Sequence, residues 1–241
     1  MMKAMILAAG RGERMRPLTD HTPKPLLDVQ GKALLRWHVD ALASAGVRSL
    51  VVNTAWLGEQ IPRYFGKVPL DGGGQRLHIT YSAEGEDFGY ALETAGGIAR
   101  ALPQLNDVFW VLAGDVYVPG FAFTQDAVQR FASSGALAHL WLVPNPSHNP
   151  NGDFGLSPEG LALNSREGER FTYSTIGLYR RELFEAPWSD TVPGNPQGTA
   201  EPLAPLLRRA MDAGQVSAEI YSGTWVDVGT PERLEELNQQ D

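Results

Sequence analysis

Near its start the chain reads Leu7-Ala8-Ala9-Gly10-Arg11-Gly12-Glu13-Arg14-Met15-Arg16-Pro17-Leu18-Thr19, followed closely by Thr22-Pro23-Lys24-Pro25-Leu26-Leu27. Glycines let a backbone approach a ligand closely, and successive N–H groups in such a turn form a cradle for an anion. Arg11, Arg14, Arg16 and Lys24 set cations beside it. These residue types suit a polyphosphate. Two common phosphate loops do not fit, because a dinucleotide fingerprint needs glycine where Met15 stands and a Walker loop needs a Gly-Lys-Ser/Thr that the chain lacks. A second candidate is Phe109-Trp110-Val111-Leu112-Ala113-Gly114-Asp115, an apolar strand with a carboxylate at its carboxyl end, where open α/β sheets bind ligands.

Gly10-x-Gly12-x-Arg14-x-x-Pro17-Leu18-Thr19 with Pro23-Lys24-Pro25 resembles the signature of the sugar-1-phosphate nucleotidyltransferases. The resemblance implies an enzyme that joins a nucleoside triphosphate to a sugar 1-phosphate and releases pyrophosphate. Arg14 is then expected to hold the β and γ phosphates, and Lys24 to bridge the sugar phosphate and the α-phosphate, two anions that otherwise repel. Trp225-Val226-Asp227-Val228-Gly229-Thr230-Pro231 resembles the family's late Trp-x-Asp-x-Gly-Thr-Pro segment, which implies that Asp227 joins Asp115 in binding Mg²⁺. That hard ion takes one or two protein carboxylates and completes its octahedron with phosphate oxygens and water. A phosphate monoester is already a nucleophile at neutral pH, so the reaction requires no covalent intermediate and no strong base. His38, His78, His139 and His148 accordingly read as structural residues or substrate contacts.

By the same resemblance Ala9, Gly10, Gly12, Glu13, Glu84 and Thr94 are expected at the nucleotide, with Leu92-Glu93-Thr94-Ala95-Gly96-Gly97 matching the family's Leu-Gly-Thr-Ala-Gly stretch. The plainer reading of Glu84 is a solvated loop charge. Asp87-Phe88-Gly89-Tyr90-Ala91 departs from the family's short Pro-Leu link, which implies a longer loop over the base, and Ala113 replaces a frequent asparagine. Glu13 in place of Thr or Ser, Asn145-Pro146-x-His148 before Gly152-Asp153-Phe154, and no extension after the last helix are similar to one branch of the family. That branch transfers a uridylyl group from UTP to N-acetylmuramate α-1-phosphate in cell-wall sugar recycling, and Gly152 and Asp153 would fall beside the sugar. The alternatives are transfer from GTP, dTTP or UTP to mannose or glucose 1-phosphate and, in another class, a catalytically dead sensing subunit. Intact Arg14, Lys24, Asp115 and Asp227 speak against decay.

The elements that must position these residues follow from the apolar pattern. Lys3 to Leu7, Leu50 to Asn53, His78 to Tyr81, Phe109 to Leu112 and Ala138 to Val143 read as strands buried on both faces. Helices are expected over Leu34 to Ala45, Ile61 to Phe65, Thr94 to Leu102 and Ala127 to Ser134. This alternation predicts an α/β fold with a doubly wound, mostly parallel, Rossmann-like sheet, followed by a small mixed sugar-binding region. Asn145 to Gly160 is rich in Pro, Asn and Gly and reads as loop; beyond it come strands near Tyr173 to Tyr179, Val216 to Tyr221 and Trp225 to Val228 and helices over Pro202 to Ala213 and from Pro231. One domain over 1–241 is expected, with 1–144 binding the nucleotide and 145–241 the sugar and the second metal ligand.

Composition bounds the rest. At 241 residues, 43% hydrophobic and 20% charged, the chain reads as globular, and no apolar run reaches the length of a membrane span. Its net charge of -8 disfavours nucleic acid, and the absence of cysteine excludes thiol catalysis and suits a reducing cytoplasm. Met1 to Gly10 is interrupted by Arg11 before it reaches leader length. A monomer or weak dimer is expected.

Overall fold

The computed structural model describes residues 2–66, 71–72 and 75–239, so Met1 of the expected first-strand segment lies outside it. Four parallel strands form its centre in the order β3-β2-β1-β4: β1 (Lys3–Ala8), β2 (Ser49–Thr54), β3 (His78–Ala83) and β4 (Val108–Ala113). Side chains alternate between the faces of a strand, so a strand covered on both sides must be apolar throughout. Ala4, Ile6 and Ala8 of β1 join a cluster with Leu35, Val39 and Leu42 of α1 (Leu34–Ser44) and Ile61 and Phe65 of α2 (Gln60–Phe65). Met5 instead joins Ala95 and Ile98 of α4 (Glu93–Ala101), which follows the short α3 (Glu84–Phe88). The result is a three-layer stack.

The first helix shows how local sequence sets an element's end. Gly46 adopts φ +91, and the Gly46 and Val47 N–H groups donate to the Ala43 and Leu42 carbonyls at 3.1 and 3.0 Å. That is a Schellman closure, which turns the chain into β2.

After β4 come β5 (Val116–Tyr117), α5 (Gln125–Ser134), β6 (Ala138–Val143), β7 (Phe154–Leu156), β8 (Ala162–Leu163), β9 (Arg170–Arg180), α6 (Leu203–Asp212), β10 (Val216–Ile220), β11 (Val226–Asp227) and α7 (Pro231–Asn238). The long strand β9 runs antiparallel to β4, β6 and β7, and β10 runs parallel to β6. This mixed edge continues the parallel sheet as expected. The β9 register with β6 shifts between Leu140 and Leu142, where Ser174 Oγ donates to the Trp141 carbonyl at 2.6 Å and Thr175 adopts φ +68. Such a bulge bends a strand and re-aims its side chains.

Two expectations are corrected. The stretch 145–160 is not all loop, since Phe154, only 3% exposed, begins β7 opposite Phe171 and the ladder with β9 satisfies its backbone. Asp87 and Phe88 lie in α3, not in a loop, and Gly89 ends that turn at φ +80.

His38 on α1 ties a helix to the strand after Asp115. It is 2% exposed, with Nε2 2.8 Å from the Val116 carbonyl oxygen, which can only accept, so the proton is on Nε2. Burial lowers its pKa from 6.5 to about 4, opposed by that bond and by the Asp115 charge. An unfolded chain therefore takes up this proton as pH falls below 6.5, whereas the folded one resists until about 4. His38 should make stability fall across that window by at most about 3 kcal/mol. Urea melts between neutral pH and pH about 4 should show a shallower loss for His38→Gln; an identical slope would contradict this origin.

Candidate active site

The carboxyl ends of β1, β2, β3 and β4 open onto a cavity of about 510 Å³ lined by Ala9, Gly10, Gly12, Glu13, Arg14, Lys24, Glu84, Thr94 and Asp115. The sequence therefore converges on one place. The wall formed by the glycine-rich segment is held by its own contacts: Gly12 adopts φ +69 and its carbonyl accepts from Thr19 Oγ1 at 2.9 Å. A Cβ at Gly12 would stand 3.0 Å from Thr19 Cγ2 and 3.3 Å from Lys24 Cβ, so the packing as well as the φ favours glycine.

The four cations separate into two kinds, which revises the expected cluster. Arg11 donates to the Thr19 carbonyl and to Asp20 Oδ1, both at 3.0 Å, and lies 3.8 Å over the Trp56 ring. Arg16 donates to the same Asp20 oxygen at 2.9 Å, and the Arg11 bond leads the causes that lower the Asp20 pKa. Both guanidiniums are thus engaged in shaping the loop. Arg14 is exposed and makes no hydrogen bond or ion pair with any described residue. Lys24 has a side chain only 8% exposed, and its Nζ donates to Asp115 Oδ2 at 2.7 Å.

A buried relay holds the back wall. Glu84 is 0% exposed; its Oε1 accepts from Asn53 Nδ2 and its Oε2 from the Leu92 N–H, each at 2.8 Å. Asn53 Oδ1 in turn accepts from the Ala8 N–H at 2.7 Å. Burial raises the Glu84 pKa, and the Leu92, Asn53 and Arg100 interactions oppose it. Glu84 is therefore no solvated loop charge: it ties β1, β2 and the start of α4 together at the cavity. Gly97 makes room for it, since a Cβ there would come within 2.7 Å of Glu84 Oε1.

Asp115 and Asp227 are brought together by the pairing of β5 with β11, in which Asp227 faces Val116 and the Val228 N–H donates to the Asp115 carbonyl at 3.1 Å. Asp227 Oδ2 accepts from Arg233 at 2.7 Å and lies 3.3 Å from His148 Nε2. Gly229 lines the cavity and Asp227 does not; a Cβ on Gly229 would sit 2.9 Å from Asp227 Oδ2. The protein contacts to these carboxylates fall on Oδ2, so each retains an Oδ1 without a partner among the described residues. Carboxylate oxygens of this kind suit a hard divalent ion, although no group of three or more His, Cys, Asp or Glu among the described residues is placed to hold one by protein ligands alone.

A second cavity of about 440 Å³ adjoins the first, with Leu7, Glu93, Thr94 and Ala113 lining both. Asp153 lines it, its Oδ2 accepting from the Tyr173 N–H at 2.8 Å and its Oδ1 from Asn149 Nδ2 at 3.2 Å. Gly152 does not line it. Its φ of +60 makes the turn that precedes Asp153, and a Cβ there would stand 2.8 Å from both Asn145 Oδ1 and the Phe171 backbone nitrogen.

The nucleotidyl transferase family model matches residues 3–241. The chain belongs to that family. It is 47% identical to an N-acetylmuramate α-1-phosphate uridylyltransferase of Neisseria meningitidis, over 98% of this chain and 96% of that one. An N-acetylmuramate α-1-phosphate uridylyltransferase of Caulobacter vibrioides is 30% identical over 95% and 92%. Among solved structures, a putative glucose-1-phosphate thymidylyltransferase from Bacillus anthracis shares the fold at a TM-score of 0.77 and 20% identity, covering 99% of this chain and 94% of that one.

Several residues of this nucleotidyltransferase site escaped sequence reasoning. Asn53 could have been noticed as a polar residue closing an otherwise apolar strand. Glu93 could have been noticed as standing where the family's stretch has glycine, whereas Tyr173, Thr175 and Arg208, which also line the second cavity, carried no signal of their own. Asn53→Ala should leave the Ala8 N–H and one Glu84 oxygen unpaired in a buried place and cost the nucleotidyltransferase about 2 to 4 kcal/mol. Urea denaturation checks this; a loss below about 0.5 kcal/mol would mean that the relay contributes little.

Proposed function

We propose that this nucleotidyltransferase moves the uridylyl group of UTP onto N-acetylmuramate α-1-phosphate, giving the UDP-sugar and pyrophosphate in the recycling of cell-wall sugar. The observation that carries this reading is the 47% identity to a uridylyltransferase of that name along nearly the whole of both chains. The site's chemistry supports it. A sugar-phosphate oxygen attacks the α-phosphorus in line with the bridging oxygen to the β-phosphorus; that bond breaks and pyrophosphate leaves with the electron pair. Arg14, exposed at the cavity wall, offers its guanidinium to the β and γ phosphates, where charge grows on departure. Lys24 can turn from Asp115 towards the two reacting phosphates and lower their repulsion.

Asp115 and Asp227 are the proposed ligands of Mg²⁺, which when bound supplies charge neutralisation at phosphate oxygens. Glu84, Asn53 and Leu92 hold the walls against which the nucleoside is placed. No helix among the described residues is long and apolar enough to cross a membrane, and the proposed setting is the cytoplasm, as a monomer or weak dimer.

A pyrophosphate-release panel of nucleotides against sugar phosphates tests the reading directly. UTP with N-acetylmuramate α-1-phosphate should give the highest kcat/KM, and a preference for a mannose or glucose phosphate would overturn it. Arg14→Ala should lower kcat about 100- to 1000-fold while leaving thermal unfolding unchanged; near-normal turnover at saturation would remove Arg14 from catalysis. In excess chelator transfer should stop and return with Mg²⁺ or Mn²⁺. Asp115→Asn should raise the Mg²⁺ concentration needed for half-activation, because an amide keeps the shape and loses the charge.

A further inference from the structure

The second cavity contains a cation that the transfer chemistry does not use. Arg208 lies on α6 and is the only Lys or Arg among the residues lining that cavity; Arg14 and Lys24 line the first cavity alone. It makes no ion pair with any described residue. Its Nη1 donates to Asn164 Oδ1 at 2.6 Å, and its guanidinium carbon lies 5.2 Å from the centre of the Phe154 ring. An amide oxygen and an aromatic face orient a guanidinium without cancelling its charge, and most of its five donors remain for something else. The carboxylates nearest in the lining do not take it up: Asp153 is held by Tyr173 and Asn149, and neither Asp153 nor Glu93 forms an ion pair with Arg208.

The cavity also concentrates backbone strain. Glu93 at φ +59 and Thr175 at φ +68 both line it, and they are two of the five non-glycine residues with positive φ among those described. Positions of this kind persist where the surroundings over-determine them and gather at ligand sites.

The geometry points to Arg208 as the residue that recognises a carboxylate on the sugar, which in the substrate proposed above is that of the lactyl group. This rests on the proposed reaction. The anomeric phosphate must lie towards Lys24 and Asp115 in the first cavity, so a group on the far side of the pyranose ring reaches the second, where a planar guanidinium can bind a carboxylate through paired hydrogen bonds. A charge-assisted contact of this type separates two sugars that differ only in the lactyl group.

The test is the ratio of kcat/KM, with UTP, for N-acetylmuramate α-1-phosphate over N-acetylglucosamine 1-phosphate. It should be at least about tenfold in the natural chain, fall to near one in Arg208→Gln chiefly through KM, and recover in part in Arg208→Lys. A ratio preserved in Arg208→Gln overturns the assignment and leaves the proposed reaction standing. An equal loss for both sugars makes Arg208 a phosphate contact, which also overturns it. No lactyl preference in the natural chain overturns both the assignment and the muramate reading, while nucleotidyl transfer itself would remain. Calorimetric binding of the two sugar phosphates to the same proteins, with a non-hydrolysable UTP analogue present, should give the same ratios without turnover.

Discussion

The site depends on the ion pair between Lys24 and Asp115. A lysine with a side chain only 8% exposed must have a charged partner nearby, because an unpaired ammonium removed from water is far more costly than the packing around it can offset. Asp115 supplies that partner across 91 positions of sequence and, at 41% side-chain exposure, remains open to a ligand. The pair thus draws the segment that follows the glycine-rich turn down onto the carboxyl end of β4. It brings the residues assigned to the reaction against one another before any substrate arrives.

Around that pair the structure separates cations that build from cations that are available. Arg11 and Arg16 converge on Asp20, and Arg11, itself in the lining of the first cavity, also covers Trp56, so that wall is braced by its own cations. Arg14 lines the cavity without a partner among the described residues, where its charge can act on a polyanion. The back wall is braced by a hydrogen-bonded relay rather than by ion pairs: Glu84 is buried with a neutral donor at each oxygen, and through Asn53 it fixes Ala8 as well as Leu92. In a chain of net charge -8, this placement lets a triphosphate be held by local groups although the whole molecule repels anions.

The parallel core was legible because strands buried on both faces read as unbroken apolar runs, and β1, β2, β4 and β6 each lie within a residue or two of their expected ends. Asp115 was legible for the same reason, since it ends such a run at the ligand-binding edge. The family resemblance, rather than periodicity, pointed to Lys24 and Asp227; Lys24 lines the first cavity, and Asp227, outside that lining, is paired with Val116 next to Asp115. What stayed hidden was set by tertiary contact. Glu84 looks like a loop charge until Asn53 and the Leu92 N–H are seen to surround it. Asn145 to Gly160 has turn composition, yet Phe154 and Gly155 within it pair with β9, and Phe154 packs with Leu203 and Leu207 of α6. Arg208 sits beside the apolar stripe of its own helix, and only the cavity distinguishes it from any other helical arginine.

The long strand β9 belongs to two regions at once. Gly177 to Arg180 is bound into the core against β4, while Arg170 and Phe171 pair with the strand that follows Asp153 at the second cavity. The bulge at Ser174 to Ile176 lies between these halves and interrupts the regular ladder. Changes in the hairpin can therefore be absorbed before they reach the strand that leads to Asp115. In evolutionary terms the second cavity is modular: substitutions at the sheet's edge can reshape it while the strands around the first cavity keep their pairing.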